Sequence, residues 1–136
     1  MLTEEMKKQM IDVLRNETNP DFIILFGSFA KGTAHEDSDV DLAYFSDKQL
    51  SSYERFNLAN ELALTCGRDV DLVDILEIDT ILAMQIFESG VPLFIYDKDE
   101  YTRQKIKAYR MYAELNEQRS IVIKGIKNRG SVFGDE

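Results

Sequence analysis

The chain has 136 residues, 44% of them hydrophobic, and a formal net charge of −9; that is one domain with enough apolar material for a core, which excludes a disordered chain. No apolar run approaches the roughly 20 residues that cross a bilayer, and the opening MLTEEMKKQM has no apolar signal region, so a cytoplasmic protein without membrane contact is expected. One cysteine and one histidine exclude an internal disulfide and the usual zinc ligand sets, leaving a hard, oxygen-bound ion as the only metal to expect.

Residues 3–16 read as a first helix. Thr3 is a suitable N-cap, and Glu4 and Glu5 sit at the positive end of the dipole. Met6, Met10, Val13 and Leu14 give one apolar face before Asn19-Pro20 breaks the pattern. The run Phe22-Ile23-Ile24-Leu25-Phe26 predicts a buried strand over 21–26. It turns at Gly27-Ser28 into a short helical segment that stops near Gly32, and a polar loop leads to a second strand over 39–45. The connection from Ser28 to Ser38 is too short for a parallel crossover, so these two strands are expected to be antiparallel and the sheet mixed.

Ser51-x-x-Glu54 is a capping box for a helix over 52–66, with Phe56, Ala59, Leu62 and Ala63 as its inner face and Gly67 after its end. Arg68–Ile75 reads as a third strand. Asp79 caps a helix over 80–89, Leu93–Tyr96 is a short fourth strand, and Asp97-x-x-Glu100 opens a last helix reaching about Lys124, with Gly125 and Gly130 as candidate stops. The result is an α/β (α+β) chain: a small mixed β-sheet flanked by helices, with a long C-terminal helix. Residues 1–97 form the expected core, 98–130 a helix that contacts a partner or another copy, and 131–136 a flexible tail. Charge follows this division. Residues 1–102 carry 21 acidic and 8 basic side chains, residues 103–129 carry 8 basic and 2 acidic. The acidic body speaks against nucleic-acid binding by the core. The basic segment suits a nucleic acid, a nucleotide phosphate or an acidic protein face, or is a solvated helix face.

The chemistry concentrates between Phe22 and Tyr44. Gly27 lets the backbone turn tightly and approach a ligand. Ser28 opens a helix whose N–H groups suit a phosphate, and Lys31, one turn on, suits a terminal phosphate. Asp39 and Asp41 share one strand face, with Val40 and Leu42 on the other. Two such carboxylates repel unless a cation lies between them; Mg²⁺ takes carboxylates together with substrate phosphates, and two metals can stabilise both oxygens of a phosphoryl-type displacement. Asp69 and Asp71 share a face of the third strand, and Asp71, flanked by apolar residues, is the better third carboxylate, placed to act as base on an attacking hydroxyl. Asp74 falls on the other face and reads as a surface or turn residue. His35 reads as a solvated loop residue, Cys66 as packing, Arg68 as surface, and Tyr101, Tyr109 and Tyr112 as packing. Gly-Ser, ten residues, then Asp-x-Asp arises by chance in about one chain in a few hundred.

Gly27-Ser28, followed after ten residues by Asp39-Val40-Asp41, resembles the signature of the DNA polymerase β-like nucleotidyltransferase superfamily. The text GSFAKGTAHEDSDVDLAYF and the later RDVDLVDI narrow the resemblance to the minimal nucleotidyltransferase (MNT) antitoxins of HEPN/MNT toxin–antitoxin pairs. The resemblance covers about residues 1–97. It implies a polymerase β-like core, Gly27 and Ser28 on a triphosphate, two Mg²⁺ on Asp39 and Asp41, and a third carboxylate at Asp71, with Asp69 still open. It implies transfer of AMP from ATP to a hydroxyl of the cognate HEPN ribonuclease toxin, a tyrosine, within a hetero-oligomer and without direct nucleic-acid binding. Two other readings stand beside it. One is an antitoxin that neutralises by binding alone. The other is a small-molecule nucleotidyltransferase, which would be expected to carry an added substrate domain.

Overall fold

The computed structural model describes residues 2–128, with side chains through Gly125. Five helices and four strands alternate: α1 (Glu4–Thr18), β1 (Phe22–Phe26), α2 (Ser28–Lys31), β2 (Val40–Phe45), α3 (Ser52–Cys66), β3 (Val70–Asp74), α4 (Thr80–Ser89), β4 (Val91–Ile95) and α5 (Lys98–Asn128). The strands form one sheet in the order β3-β2-β1-β4. β1 runs antiparallel to β2 and to β4, while β2 and β3 are parallel, joined through α3. The sheet is therefore mixed, as the loop lengths require.

Local chemistry sets the element ends. Thr3 Oγ1 accepts from Met6 N–H, and Asn19 closes α1 in the left-handed region at φ 47°. Ser51 and Glu54 form the reciprocal capping box of α3, and Asp79 caps α4 by accepting from Leu82 N–H. β4 starts two residues earlier than the apolar run suggests, directly after Gly90, where a Cβ would collide with Ile86 O and the Ile24 side chain. Pro92 is tolerated in β4 because that strand is an edge.

Both sheet faces are covered. On one, α1 and α3 pack over Ile23, Leu25, Val40, Leu42, Tyr44 and Leu72. On the other, α4 and the start of α5 pack over Phe22, Ile24, Ala43, Phe45 and Ile75. Tyr101 meets Phe22 edge-on at 5.1 Å and Phe87 at 5.7 Å, as expected of a packing residue.

The two-sided cover corrects two sequence expectations. Asp74 is not a surface residue: it lies on the face under α3 and is 1% exposed. Its partner in the β2–β3 register is Tyr44. Among the described residues the Tyr44 hydroxyl and Asp74 Oδ2 are both buried without a hydrogen-bond partner, while Asp74 Oδ1 accepts from Leu76 N–H at 2.9 Å. Burial raises the Asp74 pKa above the usual carboxylate range. The inner face of α3 is Leu58, Leu62 and Cys66, at strict four-residue spacing. Phe56 stands almost opposite Leu58 around the helix and is 63% exposed.

Gly125 does not end α5, whose 31 residues span about 46 Å at 1.5 Å per residue. The helix continues well past Ala108, the last buried residue among its described side chains, and exposes Ile121, Val122 and Ile123. Gly130 and residues 131–136 lie outside the described residues. Among those described, no helix is long and apolar enough to cross a membrane.

Candidate active site

β1 delivers its chain end beside the start of β2, because Phe26 pairs with Asp41 in the antiparallel register. Gly27 follows at φ 73°, ψ −152°, a conformation essentially confined to glycine. A Cβ on this residue would collide with Asp41 Oδ2 and come within 3.1 Å of its Cγ. The turn therefore needs glycine twice over, for its backbone angles and for the carboxylate seated against it. Gly27 O accepts from the N–H groups of Ala30 and Lys31, each at 3.1 Å. The N–H groups of Ser28 and Phe29, in the first turn of α2, have no acceptor within the helix. Ser28 is half-buried and Lys31 is exposed at the outer end of the turn.

The carboxylates come together through the parallel pairing. Asp41 stands opposite Asp71 in the β2–β3 register, and both side chains share the α4 face of the sheet with Asp39 by strand alternation. Asp41 is half-buried, Asp39 and Asp71 exposed. Burial first, then Asp71, then Asp39 push the Asp41 pKa up to about 6. Asp69 lies directly before β3, where its carbonyl accepts from Val40 N–H at 2.9 Å and opens the β2–β3 ladder. The structure thus gathers Gly27, Ser28, Asp39, Asp41 and Asp71 at one end of the sheet and leaves Lys31 at the rim.

These residues fit a hard divalent cation. The donors are carboxylate oxygens, the set Mg²⁺ prefers, and a cation there would offset both the burial of the Asp41 carboxylate and, next in size, its repulsion by Asp71 and Asp39. Among the described residues no three His, Cys, Asp or Glu side chains lie close enough together to hold a metal ion by themselves, so a cation here would need further oxygen ligands from substrate phosphates and water.

Arg68, read from the sequence as a surface residue, is built into this region. Its Nη1 donates to the carbonyls of His35, Glu36 and Ser38, and its guanidinium lies 5.0 Å from the Phe29 ring centroid. The clue available beforehand was its position, next to the glycine that ends α3 and directly before the third strand. His35 is exposed, and its Nδ1 accepts from Asp37 N–H. Cys66 is buried packing, as expected.

A glycine turn against paired strand carboxylates is the arrangement of nucleotidyl transfer. The pattern of the family described as "Polymerase beta, Nucleotidyltransferase" matches residues 8–101, and the chain belongs to that family. Within it, the chain is 34% identical over 118 residues to the protein adenylyltransferase MntA of Shewanella oneidensis, spanning 86% of this chain and 84% of that protein. The fold superposes on a chain of a toxin–antitoxin crystal structure with AMP-PNP at a TM-score of 0.80, with 31% identity, covering 89% of this chain and 98% of that one. It also matches, at a TM-score of 0.74 and 28% identity, a structure of the tri-AMPylated Shewanella oneidensis HEPN toxin in complex with MNT antitoxin, covering 90% of this chain and 96% of that one.

Proposed function

We propose that this chain is the antitoxin of a toxin–antitoxin pair and a protein adenylyltransferase: it transfers AMP from ATP to a hydroxyl, a tyrosine, of a cognate HEPN ribonuclease toxin and so inactivates it. The observation that carries the reading is the Asp41–Asp71 pair beside a turn that only glycine can make. The likeness to the protein adenylyltransferase MntA and to a complex with a tri-AMPylated HEPN toxin supports a HEPN toxin as the acceptor.

Each residue has a part. The N–H groups of Ser28 and Phe29, with the Ser28 hydroxyl, hold the β- and γ-phosphates. Lys31, at the exposed end of α2, reaches the terminal phosphate. Asp39, Asp41 and Asp71 would hold two Mg²⁺ ions, which when bound would supply neutralisation of the phosphate charge. Asp71 also accepts the proton of the acceptor hydroxyl. A bond forms between the acceptor oxygen and the α-phosphorus; the bond between that phosphorus and the α,β-bridging oxygen breaks, and pyrophosphate leaves. The part of α5 beyond Ala108, with its exposed Ile121–Ile123 and its basic side chains, is the contact with the toxin, and residues 1–97 are the catalytic core. The site works in the cytoplasm.

The test is the intact mass of the partner after incubation with this protein, ATP and Mg²⁺. One or more added adenylyl groups are expected, and none with Asp39→Asn/Asp41→Asn. Labelling that survives the double substitution places the chemistry elsewhere. The projecting α5 also favours a second reading, neutralisation by binding alone. On that reading the double variant still protects cells from the toxin; on the catalytic reading protection is lost.

A further inference from the structure

The connection from Gly32 to Asp39 belongs to no strand or longer helix, yet it must present Asp39 to the phosphate turn. Its internal bonds are few: His35 N–H donates to Ser38 Oγ at 2.9 Å, Asp37 N–H to His35 Nδ1 at 3.3 Å and Ser38 N–H to His35 O at 3.0 Å. These three lie within 35–38, and Thr33 N–H donates to Ser28 O at 3.0 Å, so backbone bonds tie the start of the connection to α2 but none of them ties 35–38 to the body of the protein.

Arg68 supplies that anchor. It stands between Gly67, left-handed at φ 70° and closing α3, and Asp69, where β2–β3 pairing begins. From this fixed base Nη1 points at three carbonyl oxygens, those of His35 at 3.1 Å, Glu36 at 2.7 Å and Ser38 at 3.2 Å. The guanidinium also lies over the ring of Phe29, and Phe29 packs against the core under α1 and α3. Arginine suits this place because its planar head donates at the edge and stacks on its face at the same time. Carbonyl oxygens drawn to a permanent charge make stronger bonds than neutral pairs do. Among the described residues Arg68 makes no ion pair, so its charge is directed at the backbone.

We propose that Arg68 is a positioning residue of the transfer site: by holding the carbonyls of His35, Glu36 and Ser38 on a guanidinium seated over Phe29, it fixes Asp39 relative to the Gly27–Ser28 turn. One side chain then ties the phosphate turn, the aspartate loop and the third carboxylate strand into a single frame. This rests on the reading of Asp39 as a metal ligand. Misplacing a reacting group by about 1 Å costs on the order of a hundredfold in rate, so the effect on transfer exceeds what a surface arginine would give.

Arg68→Met and Arg68→Lys separate the possibilities. Three quantities are measured: amide hydrogen exchange of residues 33–39 in the isolated chain, calorimetric affinity for Mg²⁺-ATP, and kcat and KM of AMP transfer to the partner. In Arg68→Met, exchange across 33–39 is expected to accelerate while that of α3 stays as in the parent. Mg²⁺-ATP should bind about tenfold more weakly and kcat should fall roughly ten- to a hundredfold. Arg68→Lys keeps a donor but loses the plane, and should fall between. Weakened binding or rate with unchanged exchange overturns the proposal, since Arg68 then acts on the nucleotide itself. Faster exchange with parental affinity and kcat overturns it as well. A parent protein that transfers no AMP defeats the adenylyl-transfer reading, while exchange and calorimetry still decide the role of Arg68.

Discussion

Replacing Gly27 by alanine tests the site where its geometry is tightest. Two costs are expected. The backbone at φ 73°, ψ −152° is strained for any residue with a Cβ, by about 1 to 3 kcal/mol. The new methyl also collides with Asp41 Oδ2, and overpacking of this kind costs about 1 to 3 kcal/mol more. Together they take a large part of the 5 to 15 kcal/mol that holds a domain of this size folded. The Asp41 carboxylate can relieve the second cost only by moving off its seat against the turn, which disturbs the site. The assay is urea unfolding of four proteins: parent, Gly27→Ala, Asp41→Ala and the double variant. In the Asp41→Ala background the collision is gone, so Gly27→Ala should there cost only the backbone term. The difference between the two backgrounds, about 1 to 3 kcal/mol, is the coupling between turn and carboxylate. Equal costs in both backgrounds, or a Gly27→Ala protein with parental stability and activity, would refute the reasoning.

Three further outcomes are expected. Asp41→Asn should make the metal-free protein more stable at pH 8: the parent carboxyl, raised from 3.8 to about 6, binds more protons folded than unfolded, so parental stability declines as pH rises from about 4 through about 6. The full shift corresponds to about 3 kcal/mol, and solvent screening of this half-exposed group reduces it to about 1 to 2. Thermal unfolding in EDTA should show the gain shrinking to nothing near pH 4, and a gain that persists there contradicts the cause. Asp74→Asn should be at least as stable as the parent at neutral pH, because burial penalises the charged carboxylate and an amide oxygen can still accept from Leu76 N–H; a clear loss of stability would show that the charge is needed. Leu62→Ala should cost about 2 to 5 kcal/mol and Phe56→Ser about 0.5 or less, by denaturant midpoint, with comparable losses contradicting the α3 orientation.

The turn and the first two aspartates were legible in the sequence because their constraints are local. Gly27 is set by backbone angles, and Asp39 and Asp41 share a face by alternation alone. The choice of Asp71 over Asp69 was only inclined by sequence, because it depends on the β2–β3 register, a non-local quantity. Asp74 was misread for a related reason: alternation assigns it to the face away from Asp71, and only the packing of α3 makes that face interior. Phe56 was placed inward by its hydrophobicity, whereas the four-residue spacing of Leu58, Leu62 and Cys66 carries the actual contact. Arg68 was read as a surface residue because its partners are main-chain carbonyls some 30 positions away, and backbone acceptors leave no trace in side-chain patterns.

The parallel pairing of β2 with β3 also bears on how the protein comes into being. Asp41 and Asp71 become neighbours only after α3 has formed and crossed over, whereas β1 and β2 can pair early through a short connection. Contacts that close long loops form late and set the folding rate. A chain emerging from the ribosome through its first fifty residues therefore carries the turn and two aspartates but no complete site. Catalytic competence arrives with the slowest contact, so activity doubles as a proof that the fold is finished.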